Sequence, residues 1–190
     1  MQGPAGLPVP SNAMSTTPDD LMLRALIAEN GHVRTDLHWL LTAAIEFTNR
    51  YDSGALTVVL QDSALMHGRT LIEFTCFQPK SGYFRLVDFL AAGETAGLET
   101  VDWSGWHAFM SSQTSHLSTK RDPGVAWPYA MTYKSRDRMY RLADDVLRIL
   151  EVNAEKVREP IKDDFVEMVR WARGHLDRRE PPSLILPASP

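Results

Sequence analysis

The chain has 190 residues, of which 44% are hydrophobic and 23% are charged, and its formal net charge is −4. These values are typical of one globular domain, so they exclude a wholly disordered or fibrous chain, and the net acidity argues against a general polyanion binder. The single cysteine, Cys76, excludes an internal disulfide. No apolar run approaches about 18 residues, so we expect a cytoplasmic protein without a membrane span or a secretion signal.

The order of caps, apolar periods and prolines predicts a series of helices. Residues 1–16 are rich in proline and glycine and predict a flexible leader, within which Met14 is a candidate native start. Thr17 and Pro18 suit a helix cap and the first helical position, and Thr35 suits a second cap. Apolar residues at helical spacing predict helices over 18–30, 35–50, 55–77, 103–118, 135–158 and 160–178.

Between these helices the sequence predicts irregular connections. Residues 83–92 are a short apolar piece, either helical or extended, within a connection over 79–104. A second loop over 119–134 contains prolines that interrupt any helix, and the tail 180–190 is too rich in proline to be helical. We therefore predict one all-α domain over 17–179, folded as an up-down helical bundle with irregular connecting loops.

The run from Asp62 to Phe74 contains a histidine and an arginine inside an otherwise apolar helical pattern. Arg69 and Glu73 are four residues apart, and Asp62 lies two turns upstream on nearly the same side, which predicts ion pairing. Two interpretations remain open: an internal salt-bridge network that fixes helix register, or a site that also binds a ligand or substrate. Gly68 predicts close approach by a neighbouring helix, because glycine costs about 1 kcal/mol in a helix.

His67 and His116 are the two candidate catalytic histidines. His67 lies on an apolar row, where it is either a hydrogen-bonded neutral imidazole or a base. His116 lies in a polar run before a long loop, where neighbouring hydroxyl groups either accompany a site or satisfy a fraying helix end. His67, His107 and His116 lack the spacing of helical metal ligands, and the sequence has no phosphate-binding glycine loop or dinucleotide motif. We therefore predict no metal and no cofactor.

A family resemblance is carried by the run from Ala64 to Phe74, the Val87–Asp88–Phe89 piece, and the run from His116 to Arg121 with Trp127 after it. Over about residues 35–150 these pieces resemble an uncharacterised bacterial family. That family in turn resembles the HEPN helical domains, which occur in toxin, defence and RNA-cleaving systems. The resemblance implies a HEPN-like bundle, a homodimer, and an RNA or nucleotide ligand.

Active HEPN ribonucleases contain an arginine followed, after four to six residues, by a histidine, and the pair acts on the RNA backbone. By the resemblance His116 matches the histidine, but residues 109–111 contain no arginine. A literal match from Arg170 to His175 lies outside the resembling region and is of a kind expected by chance. The resemblance therefore implies a HEPN-like protein without the complete catalytic pair.

Three functional hypotheses follow from these residues. The first is a non-catalytic HEPN-like binding or regulatory module, linked to RNA or defence systems, that binds through Arg69, Glu73, His116 and Arg121. The second is an enzyme, a ribonuclease or another enzyme of anionic substrates, that uses Arg69 with His67 or His116. The third is a structural interaction protein with an apolar interface and no polar pocket.

Overall fold

The fold comes from a computed structural model, which describes residues 19–49, 55–76, 83–97, 101, 104–106, 110 and 133–183. Its principal helices are α1 (Asp20–Ile27), α2 (His32–Asn49), α3 (Ala55–Cys76), α4 (Tyr133–Ala154) and α5 (Glu159–Arg178). A short 3-10 helix, Leu86–Phe89, lies in the connection after α3. The described residues contain no β-strand, only an isolated bridge between Leu90 and Val157. The predicted all-α class is therefore confirmed.

Helix α2 is the centre of the bundle and packs against α1, α3, α4 and α5. Its inward residues are buried, as the helical period of the sequence predicts, and so are those of α4 and α5. These buried residues include Leu37, Leu40, Leu41, Ala44, Leu142, Val146, Ile149, Leu150, Phe165, Met168, Val169 and Ala172. Burying a large side chain of this kind stabilises the fold by roughly 1.5–3 kcal/mol. Among the described helices none has the length and apolarity that a bilayer span needs.

The first two helices begin at residues other than the predicted ones. Helix α1 is capped by Asp19, whose carboxylate accepts a hydrogen bond from a backbone amide of that helix, while the predicted cap Thr17 lies outside the described residues. Helix α2 already begins at His32, so the prediction of Thr35 as its cap is wrong. The Thr35 amide donates a helical hydrogen bond to the Gly31 carbonyl at 2.8 Å. Gly31 permits this early start, because a Cβ atom there would lie 2.3 Å from carbonyl oxygens of α1.

Helix α3 has the predicted length but a different environment. Leu56, Val59 and Met66 are 46%, 62% and 56% exposed, so part of the apolar surface of this helix is in contact with solvent. The predicted close approach at Gly68 is confirmed, because a Cβ atom there would lie 2.5 Å from Cδ2 of Leu142 on α4. One face of α3 therefore packs against the bundle, and the opposite face is exposed to solvent.

Residues 83–97 cross the end of the bundle and are held by one aromatic ring and one amide. Phe89, in the 3-10 helix, is fully buried, and its ring centroid lies 5.7 Å from that of Phe74 and 5.8 Å from that of Phe165. Asn153 is also fully buried and hydrogen-bonds to both the amide and the carbonyl of Gly97. Helix α4 ends one residue beyond Asn153, not at the predicted residue 158.

Candidate functional site

Two facing helices each contribute a pair of chemically active side chains to one site. Arg34 and His38 are four residues apart on α2, and Trp171 and His175 are four residues apart on α5. Because residues at this spacing lie on the same face of a helix, both side chains of each pair face the other helix. Helices α2 and α5 pack together, which brings the four side chains into one cluster.

Trp171 is the centre of this cluster and is contacted by three basic side chains. The Arg34 guanidinium carbon lies 4.6 Å from the centroid of the Trp171 ring, within the range of a cation–π interaction. The His38 ring is nearly parallel to Trp171, at 16° and 6.5 Å between centroids. The His175 ring approaches Trp171 edge-on, at 71° and 5.3 Å. The Trp171 ring is therefore in contact with one guanidinium and two imidazole groups.

The cluster forms a wall of a cavity of about 430 Å³. Cavities of roughly 300–1,000 Å³ are typical of sites for small organic ligands. The lining combines aromatic rings, basic groups, hydrogen-bonding side chains and a single carboxylate, and it consists of Glu29, Asn30, Arg34, Thr35, His38, Trp39, Trp171, His175, Pro182 and Ser183. We call this cavity the His–Trp pocket.

Arg34 has the electrostatic character of an anion-binding residue. Its side chain is only 18% exposed, yet the carboxylate of its ion-pair partner Glu167 is 3.9 Å away and 70% exposed. A contact of this length to an exposed acid stabilises the protein little. Much of the hydrogen-bonding capacity of the guanidinium therefore remains for an anion in the pocket.

The two histidines of the pocket differ in their surroundings and in their hydrogen bonds. Burial lowers the pKa of His38, and the nearby His175 lowers it further, so the His38 ring is neutral near pH 7. The Nδ1 atom of His175 donates to the Glu180 carbonyl at 2.9 Å. When His175 is neutral, its Nε2 atom is therefore the free proton acceptor. The neutral His38 ring therefore has a nitrogen that is able to take up a proton when a ligand binds.

A second polar pair lies beside the pocket and contains the predicted residue His67. Its Nδ1 atom donates to a carboxylate oxygen of Asp36 on α2 at 2.7 Å, and both side chains are about four-fifths buried. Trp39 joins this pair to the pocket, because its ring stacks on His67 at 6.4 Å and meets His38 edge-on at 5.4 Å. Of the two interpretations of His67, the hydrogen-bonded imidazole matches this geometry, and its carboxylate partner also suits a general base.

Of the other predicted site residues, those that the structure describes do not line the pocket. Arg69 donates to Glu73 at 2.7 Å, and the two side chains are 45% and 47% exposed, so the expected buried network is instead a half-exposed ion pair on α3. Asp62 is exposed. His107, His116 and Arg121 lie outside the described residues.

Sequence reasoning missed Arg34, His38, Trp39 and Trp171 as site residues. A usable signal was present, since two pairs at four-residue spacing place basic and aromatic groups on the polar sides of amphipathic helices. The run Arg170–His175, which matches the motif by chance, did contain two residues of the pocket, Trp171 and His175. Its arginine, however, is exposed and does not line the cavity. The arginine that does accompany His175 is Arg34, which comes from another helix.

No protein-family model, curated protein or solved structure matches this chain. Among the described residues, no three histidine, cysteine or carboxylate side chains are grouped as metal ligands. The chemistry of the His–Trp pocket is therefore the basis for a functional assignment.

Proposed function

We propose that this protein is a small-molecule-binding module whose His–Trp pocket takes an organic anion with a flat ring, of which a nucleotide is the natural example. The single observation that carries the proposal is the cavity of about 430 Å³ in which Arg34, His38 and His175 surround Trp171. The proposal keeps the binding-module part of the HEPN-like hypothesis but places the ligand in the His–Trp pocket, whose lining does not include Arg69 or Glu73. The HEPN relationship is proposed together with it.

The basic groups supply the affinity for a phosphate or carboxylate. Within the described part of the chain, the ion-pair contact that Arg34 gives up when it binds an anion is the 3.9 Å contact to Glu167. A charge-assisted hydrogen bond contributes about 1.5–3 kcal/mol, and a guanidinium is able to form two in parallel. Glu29 is the carboxylate of the lining and repels part of an extended polyanion, which favours a small ligand over a long nucleic acid.

The aromatic groups supply the affinity for a ring. Trp171 is contacted by Arg34 and His38. Trp39 is contacted by His38 and His67, but its side chain lines the same cavity and is still 37% exposed. Stacking a base on an aromatic side chain contributes about 1–3 kcal/mol. The ring of the ligand therefore packs against Trp39 while its anionic group lies near Arg34.

Calorimetric titration with adenosine 5′-monophosphate, adenosine and inorganic phosphate tests this proposal. We expect the monophosphate to bind more tightly than either fragment, because only it engages both halves of the pocket. Arg34→Met should weaken its binding at least tenfold, a loss of about 1.4 kcal/mol. Arg69→Met is the matched control and should leave binding unchanged. An equal loss in both variants, or no binding of any probe, would contradict the proposal.

A second candidate function is acid–base catalysis by His67, which the 2.7 Å hydrogen bond to Asp36 favours. A carboxylate on Nδ1 fixes the tautomer that leaves Nε2 as a base. Ribonuclease assays with His67→Ala, Asp36→Asn and His116→Ala compare the candidate residues. If cleavage is lost in His116→Ala and retained in His67→Ala, this candidate is wrong and the resemblance-based one is favoured.

We also propose that the protein is a cytoplasmic homodimer. The exposed apolar residues Leu56, Val59 and Met66 on α3 support an interface between copies, since such residues favour association when they form a patch. Sedimentation velocity of the wild type and of Val59→Glu tests the assembly. A monomeric wild type at micromolar concentration would contradict it.

A further inference from the structure

We propose that the His–Trp pocket takes up a proton on His38 when it binds its anion, so that affinity rises as the pH falls from about 8 to about 6. This inference rests on the proposed function and specifies how the same site is regulated. The geometry that carries it is the placement of two histidines from different helices on one indole and one cavity.

The charges around the two histidines are mostly positive. Arg34 comes from α2, Glu29 from the turn between α1 and α2, and His175 from α5, so His38 shares the cavity lining with two basic side chains and one carboxylate. The contact between Arg34 and Trp171 keeps the guanidinium on the ring that both histidines touch. A proton on either imidazole therefore adds to an existing positive charge unless an anion is present.

The acidic residues near the pocket interact with groups other than the two histidines. Glu167 lies 3.9 Å from Arg34 and is mostly exposed. Asp36 accepts from His67 on the far side of Trp39. Glu180 offers its backbone carbonyl to His175, while its carboxylate pairs with Arg178 at 3.2 Å. Among the described residues no carboxylate forms an ion pair with His38 or His175, and Glu29, the carboxylate of the cavity lining, is exposed.

In the empty pocket the folded chain disfavours the proton on His38. Its pKa is lowered from the ordinary value of 6.5, first by burial and then by His175. The unfolded chain therefore takes up this proton first as the pH falls. The stability that neutral His38 contributes is complete above about pH 6.5 and is lost as the pH falls through its folded pKa.

An anion in the pocket reverses this preference. A negative charge beside His38 favours its protonated form, so it raises the pKa of His38 relative to the empty site. Binding then becomes linked to proton uptake, and affinity changes about tenfold per pH unit for each proton taken up. A single histidine sets the upper limit at about one proton.

The probe must keep its own charge constant across the pH range. A phosphate monoester loses charge near pH 6, whereas a sulfate monoester does not, so the probe is adenosine 5′-sulfate. Titration calorimetry in two buffers of different ionisation enthalpy, at several pH values between about 6 and about 8, counts the protons taken up by the wild-type protein. This count requires no variant.

The expected result is net uptake of about one proton, with affinity rising at least fivefold per pH unit towards acid. His38→Gln should abolish the uptake, and His32→Gln, which replaces an exposed histidine at the start of α2, should leave it unchanged. Binding without proton uptake would overturn this inference and leave the proposed function intact. The absence of binding at every pH would instead overturn both.

Discussion

The contact between Gly68 and Leu142 gives a sharp test of the packing that positions the pocket. A Cβ atom on Gly68 would lie 2.5 Å, 3.1 Å and 3.5 Å from three side-chain carbons of Leu142. Leu142 is fully buried in the core between α3 and α4, so its side chain has little space into which it can move. Gly68→Ala therefore forces α3 and α4 apart or distorts a core rotamer.

Two opposing free-energy contributions determine how much Gly68→Ala changes the stability of the protein. Overpacking a well-packed core costs about 1–3 kcal/mol, while replacing a helical glycine by alanine returns about 1 kcal/mol. We therefore expect Gly68→Ala to lower the free energy of unfolding by about 1 kcal/mol, with about 2 kcal/mol as the upper end. Gly174→Ala on α5 is the matched control, because its Cβ would meet only the end of the Arg178 side chain, at 3.1 Å. It should gain up to about 1 kcal/mol.

Urea denaturation of the two alanine variants measures the difference directly. Gly68→Ala should unfold at lower urea concentration than the wild type, and Gly174→Ala at higher concentration. In the double variant with Leu142→Ala the two changes should be non-additive by about 0.5–3 kcal/mol, since the smaller side chain makes room for the new methyl group. Equal stabilisation by both glycine replacements would refute the close approach of α3 and α4.

Two further predictions concern polar contacts that hold the bundle. Asn153→Ala should lower the free energy of unfolding by about 2 kcal/mol, because it leaves the amide and carbonyl of Gly97 without the hydrogen bonds of 2.8 Å and 3.1 Å. We expect faster hydrogen exchange of the Gly97 amide in this variant, and unchanged exchange would contradict the prediction. Arg173 binds Glu151 through two hydrogen bonds of 2.6 Å and 2.8 Å, so Arg173→Met should lower the melting temperature while the exposed Arg170→Met should not. Equal melting temperatures for these two variants would show that the ion pair contributes nothing.

The helices were predictable because each is long enough for its apolar period to be unambiguous. The buried faces of α2, α4 and α5 repeat at helical spacing, and tertiary packing reinforces the same pattern. The starts were less predictable, since Thr35 has the chemistry of a cap but Gly31 allows the helix to begin earlier. Local propensity does not include this steric freedom at the preceding turn.

The candidate site was predictable only in part. His67 and Gly68 stand out in the sequence because each conflicts with its apolar helix, and both have a structural partner, Asp36 and Leu142. Arg34 and His38 do not stand out in the sequence, because basic residues are common on the polar side of an amphipathic helix. Their significance depends on a second helix, 133 residues after His38, that supplies Trp171.

The measurement that tests the central claim most directly is a titration of adenosine 5′-monophosphate followed by the indole resonances of the five tryptophans in a nitrogen–proton correlation spectrum. The variants Trp39→Phe and Trp171→Phe assign the two resonances of the pocket. We predict that these two resonances shift together and saturate with one dissociation constant, while the others change little. Shifts confined to other tryptophans, or no shift at millimolar ligand, would contradict binding in the His–Trp pocket.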